Sequence, residues 1–223
     1  MVIAKLKPIE EIKEMIKDCS TVINVGCAGC TAVCLAGGQK EVDILNARLI
    51  QSFKQDGIQL QVDSYTVERQ CEIEFISELD NMKDRYDAIL SMACGAGVQF
   101  VAERYISKPV FPALNTTFIG VNKDIGWYEE KCRSCGDCQL AYTGGICPVT
   151  RCAKSLFNGP CGGTQGGKCE VDKDIDCAWN LIYERLKEQN RLDNITKVKP
   201  PMSWKNQIQG TLVLDEYKDR YSH

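Results

Sequence analysis

Eight cysteines fall within 46 residues, from Cys132 to Cys177, and the only histidine of the 223-residue chain is His223 at its last position. That block is rich in glycine and poor in apolar runs, so it cannot bury much hydrophobic surface for its length. Bound metal is expected to supply the missing folding free energy. Six further cysteines, Cys19, Cys27, Cys30, Cys34, Cys71 and Cys94, bring the total to 14. A lack of histidine within the chain removes Cys2His2 zinc sites, Cys–His nucleophiles and a histidine general base at once. An all-sulfur donor set selects soft or borderline metals, chiefly zinc and iron–sulfur clusters.

Charge and hydropathy narrow the setting. Twenty-seven basic against 30 acidic residues leave a net charge of −3, which offers no basic field for nucleic acid or for an anionic membrane surface. No stretch approaches the length of an apolar span, and the opening MVIAKLKPIEEIKEMIK is charged every few residues, unlike a signal peptide. A cytoplasmic protein is expected, in which so many cysteines are metal ligands or redox groups rather than disulfides.

Residues 1–115 read as alternating strands and helices. Ile9, Ile12 and Ile16 mark a short helix over 8–17, and Val22–Gly26 a strand. Val42, Leu45, Leu49 and Phe53 recur at intervals of three and four, as in a helix that ends at Gly57. Ile58, Leu60 and Val62 alternate as in a strand, and Ile73, Ile76, Leu79 and Met82 predict a helix over 72–83. A strand over 86–93, a helix over 97–105 and a strand over 109–114 complete the pattern. Strands separated by helices predict an α/β fold with a small doubly wound parallel sheet. A Cys/Gly-rich, irregular metal-cluster domain is expected over 116–190, with a helix opening at Cys177 and carrying Trp179, Ile182 and Leu186. Residues 191–223 are polar, and Met202 and Trp204 beyond Pro200-Pro201 suggest a partner-binding arm.

Cys132, Cys135 and Cys138 form C-x2-C-x2-C, with Cys147-Pro148 after a gap of eight residues. Three thiolates in one short loop can wrap three corners of a cubane, whereas a single zinc is more often served by separated pairs. Cys147, Cys152, Cys161, Cys169 and Cys177 bring the block to eight, enough for two four-ligand clusters, with the assignment of each thiol open. Asn158–Gly163 and Gly166-Gly167 would let backbone amides approach the sulfurs. Gly162–Lys168 imitates a phosphate-binding loop, but no strand is expected before it, and Cys169 stands where Ser or Thr should be.

A third constellation belongs to the sheet. Cys27, Cys30 and Cys34 follow the first strand, Cys71 the second and Cys94 the third, and in a parallel sheet these positions share the carboxyl edge. Four of these five could hold a further [4Fe–4S] cluster or a zinc ion. Alternatively, Cys27 and Cys30 form a redox-sensing dithiol at a helix start. Cys19 has no neighbours in sequence and reads as a buried, inert thiol. No dinucleotide fingerprint is present, so hydride chemistry is not expected of this chain.

The segments Val25–Cys30, Glu68–Glu72, Ala93–Gln99 and Cys132–Cys138, then Gly144–Cys152, Asn158–Gly163, Gly167–Val171 and Asp176–Trp179, resemble a known family. They are similar to the MetV family of small iron–sulfur subunits of acetogen-type methylenetetrahydrofolate reductases and to the methylenetetrahydrofolate reductase C-terminal domain family. The resemblance implies an electron-transfer subunit with two to three [4Fe–4S] clusters, zinc remaining an alternative at one site. Its partner would be the flavoprotein MetF, which holds the FMN and reduces 5,10-methylenetetrahydrofolate to 5-methyltetrahydrofolate in the Wood–Ljungdahl methyl branch. An upstream protein would donate the electrons. The rival reading from the residues is a zinc-stabilised scaffold without electron transfer.

Overall fold

Strand β2, Thr21–Cys27, is buried from Val22 onward, as a central parallel strand covered on both faces should be. In the computed structural model, which describes residues 1–203 and 210–221, it lies inside a four-stranded parallel sheet. Its neighbours are β3, Gln61–Val67, and β4, Ala88–Ser91, and β5, Val110–Pro112, closes the far side in the order β3-β2-β4-β5. The register sets Cys27 opposite Val67 and Val25 opposite Ser91.

Period-two alternation sends successive side chains to opposite faces. Val22, Val62 and Leu90 meet helices α1, Ile9–Ile16, and α3, Gln39–Gln55, through Ile12, Ile16, Val42, Leu45, Leu49 and Phe53. Ile23, Val25, Val67 and Ile89 meet the opposite layer, where Ile76, Leu79, Val101 and Tyr105 come from α4, Ile73–Ile76, the turns after it, and the end of α5, Gly95–Arg104. Each fully buried aliphatic side chain contributes about 1.5–3 kcal/mol. Helices on both faces make the sheet doubly wound.

Three details depart from the expectation. The helix expected over 72–83 is one α-helical turn followed by 3-10 turns at Ser77–Leu79 and Lys83–Arg85. The strand expected from Ile58 begins at Gln61, and Ile58 is exposed, because the chain reverses after α3 at Gly57 with φ +76°. A second sheet was not foreseen. In it β1, Val2–Leu6, pairs antiparallel with β6, Leu114–Asp124, and β6 pairs with β7, Trp127–Cys132. Only Leu114 and Gly120 of β6 are buried, so it carries no apolar alternation to read. This pairing extends the first compact unit from the expected 115 to Glu130, and the second begins at Lys131.

The second unit has little regular structure: α6, Pro148–Arg151, α7, Ala178–Glu188, and α8, Asp193–Thr196. Its small core is Trp179, Ile182 and Leu186, against which Ile146, Leu192 and Ile195 pack. Met202 is buried, at 5% exposure, so it is not free for a partner as the sequence suggested. Trp204 and His223 lie outside the described residues. Among the described residues no helix is long and apolar enough to cross a membrane.

Candidate thiolate centres

In the second unit Cys152, Cys161, Cys169 and Cys177 line one cavity of about 230 Å³, together with Arg151, Lys154 and Trp179. Each thiol arrives by a different local device. Cys152 follows α6, and Cys177 caps the N-terminus of α7, whose positive end suits a metal-bound thiolate. A narrow turn joins Cys169 to Cys177: the Cys177 amide donates to Gly167 O at 2.8 Å, and Lys168 pairs with Asp176 at 2.7 Å. Cys161 Sγ accepts the amide of Gly163 at 3.4 Å, an approach of backbone to sulfur expected from the glycines.

Glu170 ties these segments together, and nothing in the sequence singled it out. Its carboxylate accepts from Lys154, two residues past Cys152, and lies over Gly163. Both partners of the ion pair are substantially exposed, so its role is positional and its contribution to stability is about 0–1 kcal/mol. Trp179 lines the cavity and donates its indole Nε1–H to Leu156 O at 2.7 Å. The loop imitating a phosphate-binding motif is irregular, has no strand before it among the described residues, and is flanked by Cys161 and Cys169, which line the cavity.

Cys132 ends β7 and is exposed, as is Cys138, while Cys135 is half-buried. Ser134 and Gly136, one inside each C-x2-C step, hold φ of +54° and +78°. Left-handed residues at those two positions curl the loop, and the Ser134 amide donates to Cys132 Sγ at 3.3 Å. Cys147 precedes α6 and faces a second cavity, lined also by Lys131, Leu140 and Arg185.

At the sheet, Cys27 ends β2, Cys94 caps α5, and Cys71 sits in the loop after β3. Burial pushes the Cys71 thiol up, and the neighbouring Cys27 and Cys94 add to the effect through their negative charge. All three lie at the carboxyl ends of adjacent strands β3, β2 and β4. Gln70, fully buried, holds them there: its amide donates to Val25 O at 2.8 Å and Gly26 O at 3.1 Å, and its oxygen accepts from Ser91 Oγ at 2.6 Å. Cys34 is not brought to this place. It belongs to the hydrophobic core, with Sγ 3.8 Å from Ala4 O, and burial pushes its thiol up. Cys30 opens the short helix α2, Cys30–Val33. Cys19 is half-buried against the core, and burial raises its thiol too. Among the described residues, no three Cys, Asp or Glu side chains are gathered at one point as a single bound ion would require.

Fold and sites together define a parallel α/β unit with thiols at its carboxyl edge, followed by a cysteine-lined unit of little regular structure. Residues 111–205, less than half of the chain, match the family described as methylene-tetrahydrofolate reductase C terminal. No curated protein matches. An extracellular ligand-binding receptor from Verminephrobacter eiseniae is similar to 47% of the chain at 10% identity and TM-score 0.34. The ABC domain in complex with L-Trp from Streptococcus pneumonia is similar to 47% at 19% identity and TM-score 0.33. The matched part spans 28% and 33% of those two structures.

Proposed function

We propose that this chain is the iron–sulfur electron-transfer subunit of a methylenetetrahydrofolate reductase complex. The observation that carries the reading is the cavity shared by Cys152, Cys161, Cys169 and Cys177, inside the stretch that matches the reductase C-terminal family. Four thiols around one cavity fit the ligand number of a [4Fe–4S] cluster, and a backbone amide already points at one sulfur. Cys132, Cys135, Cys138 and Cys147 remain as the set for a second cluster, three of them on a curled loop. Such a group, when bound, supplies one-electron transfer at potentials between roughly −700 and +450 mV.

The chain's own residues bind and tune. Their thiols would release protons on binding metal, so occupancy rises with pH. The Gly163 and Ser134 amides donate to sulfur, and hydrogen bonds of this kind shift a cluster's potential. Trp179 lines the cavity with its ring. Hydride delivery to folate belongs to a flavoprotein partner of the MetF kind carrying FMN, fed in turn by an upstream electron donor protein; such a chain works in the cytoplasm on the Wood–Ljungdahl methyl branch.

The test couples both halves. Anaerobically reconstituted chain is reduced with dithionite, desalted and mixed with the oxidised flavoprotein, and bleaching of the flavin absorbance is followed. The wild-type chain should bleach the flavin, and the Cys152→Ser/Cys169→Ser variant should do so at least tenfold more slowly. Equal rates from both would overturn the proposal.

A further inference from the structure

We infer that a small cavity beside α8 is a binding site for a carboxylate group. Tyr142, Phe157, Trp179, Asn194, Lys197 and Lys199 are among its walls, and its volume is about 30 Å³. No thiol lines it, so the site stands apart from the function proposed above.

Asn194 carries the inference. It lies in the single turn of α8 and is 9% exposed, and its buried Nδ2 has no hydrogen-bond partner among the described residues. The amide cannot be turned the other way round. Lys197 Nζ stands 2.8 Å from Asn194 Oδ1, and an ammonium only donates, so the atom it meets must be the oxygen. The amide nitrogen is left as a buried donor with nothing to receive its protons, a state native proteins seldom leave without a guest.

Charge selects the class of guest. Lys199 is half-buried, and its ammonium stands 2.9 Å from the centre of the Tyr142 ring. The ring faces one side of that group, and its three N–H bonds leave other directions for a ligand. Asn158 Nδ2 donates to Lys199 O at 2.8 Å and so fixes the backbone from which the ammonium reaches the cavity. Among the described residues the lining holds two ammonium groups and no Asp or Glu. Gln139 also lines the cavity, but its amide nitrogen is engaged by Asp137 Oδ1 at 2.8 Å. Such a lining calls for an anion with strong acceptor oxygens.

Size sets the rest. A space of this volume has room for about two water-sized atoms, which the paired oxygens of a carboxylate match and the four oxygens of a phosphate or sulfate exceed. Phe157, Trp179 and Ile195 supply an apolar wall for the carbon behind the carboxylate. Trp179 and Ile195 also line the four-cysteine cavity, so a carboxylate seated here is one side chain removed from those thiols.

The experiment follows thermal unfolding of the anaerobically reconstituted full-length chain at constant ionic strength. Sodium acetate should raise the midpoint saturably, by about 3–6 °C at ten times its Kd. Sodium chloride and acetamide, the neutral counterpart of acetate, should leave the midpoint within about 1 °C. A blocked peptide ending in a free carboxylate is the second probe. Response to acetate alone assigns a free small acid, whereas response to the peptide assigns a chain end offered by a partner. No response to either, or an equal response to acetamide or chloride, would overturn the inference. Lys199→Met keeps the stem over Tyr142 but removes the charge, and should weaken acetate at least tenfold. Asn194→Asp replaces the donor with a second negative charge and should abolish the response. Unchanged affinity in either variant would contradict the site, and the wild-type comparison decides the question where a variant fails to fold. The readout involves neither iron nor flavin, so its failure would leave the preceding proposal intact.

Discussion

Gln70 shows how one buried polar side chain can hold a functional edge in place. It satisfies two strand-end carbonyls and a serine hydroxyl that are otherwise sealed from water. Removing it takes one partner from each of these groups, although Val25 O still accepts the Met92 amide and Ser91 Oγ that of Ala93; a buried group left with no partner costs about 1–3 kcal/mol. Gln70→Leu should lower stability by about 2–4 kcal/mol, seen as a lower urea midpoint with an unchanged slope, and a loss below about 0.5 kcal/mol would show that the contacts are idle. Tyr105 is the corresponding pin on the far layer. Its single hydroxyl proton is shared between Ile76 O, 2.7 Å away, and Asp80 Oδ1, 2.8 Å away. Burial, with Asp80 beside it, pushes its pKa up to about 12. Because the folded value lies above the unfolded one, its contribution is complete below about pH 10 and disappears as pH rises toward 12. The stability difference between wild type and Tyr105→Phe should shrink over that window, measured by chemical denaturation between pH 9 and 12.

At the scale of elements, close packing is the controlling feature. A Cβ at Gly97 would come within 2.8 Å of Ala93 Cβ and 2.9 Å of Gln70 Cβ, so α5 presses directly on the loop that carries Cys71. Gly97→Val should cost about 1–3 kcal/mol and lower the thermal midpoint, whereas Gly57→Ala touches nothing and is strained only through its φ of +76°. Packing also explains which elements the sequence disclosed. Helix α3 was legible because Val42, Leu45, Leu49 and Phe53 mix steps of three and four, the α-helical period. Ile73, Ile76, Leu79 and Met82 repeat strictly every third residue, which is the 3-10 period, and the chain follows it after one turn. The pair β1 and β6 stayed hidden because its strands are half-exposed and far apart in sequence, so only tertiary pairing reveals them. The cysteines of the sheet edge could be placed from strand order, but Cys34 could not be set aside without seeing the core it enters. Glu170 and Gln70 gave no signal, since an isolated polar residue in a loop has no period and no motif.

The whole molecule joins two units stabilised by different means. Residues 1–130 have two hydrophobic clusters on opposite faces of a sheet, a conventional source of stability. The unit from Lys131 onward rests on Trp179, Ile182, Leu186 and a few flanking residues, and carries eight thiols, of which Cys152 and Cys177 pack on that core. Metal binding should therefore carry much of its folding free energy. Chelator treatment followed by limited proteolysis should open the second unit while leaving the first protected, as read by fragment masses; equal protection with and without chelator would show that the small core suffices. The same thiols decide what the molecule does. The direct measurement is iron and acid-labile sulfide per chain on oxygen-free protein, with an electron paramagnetic resonance spectrum after dithionite. Near-equal iron and sulfide at about eight to twelve per chain, with a reduced-cluster signal, is the predicted result. Zinc without sulfide, and no signal, would contradict it.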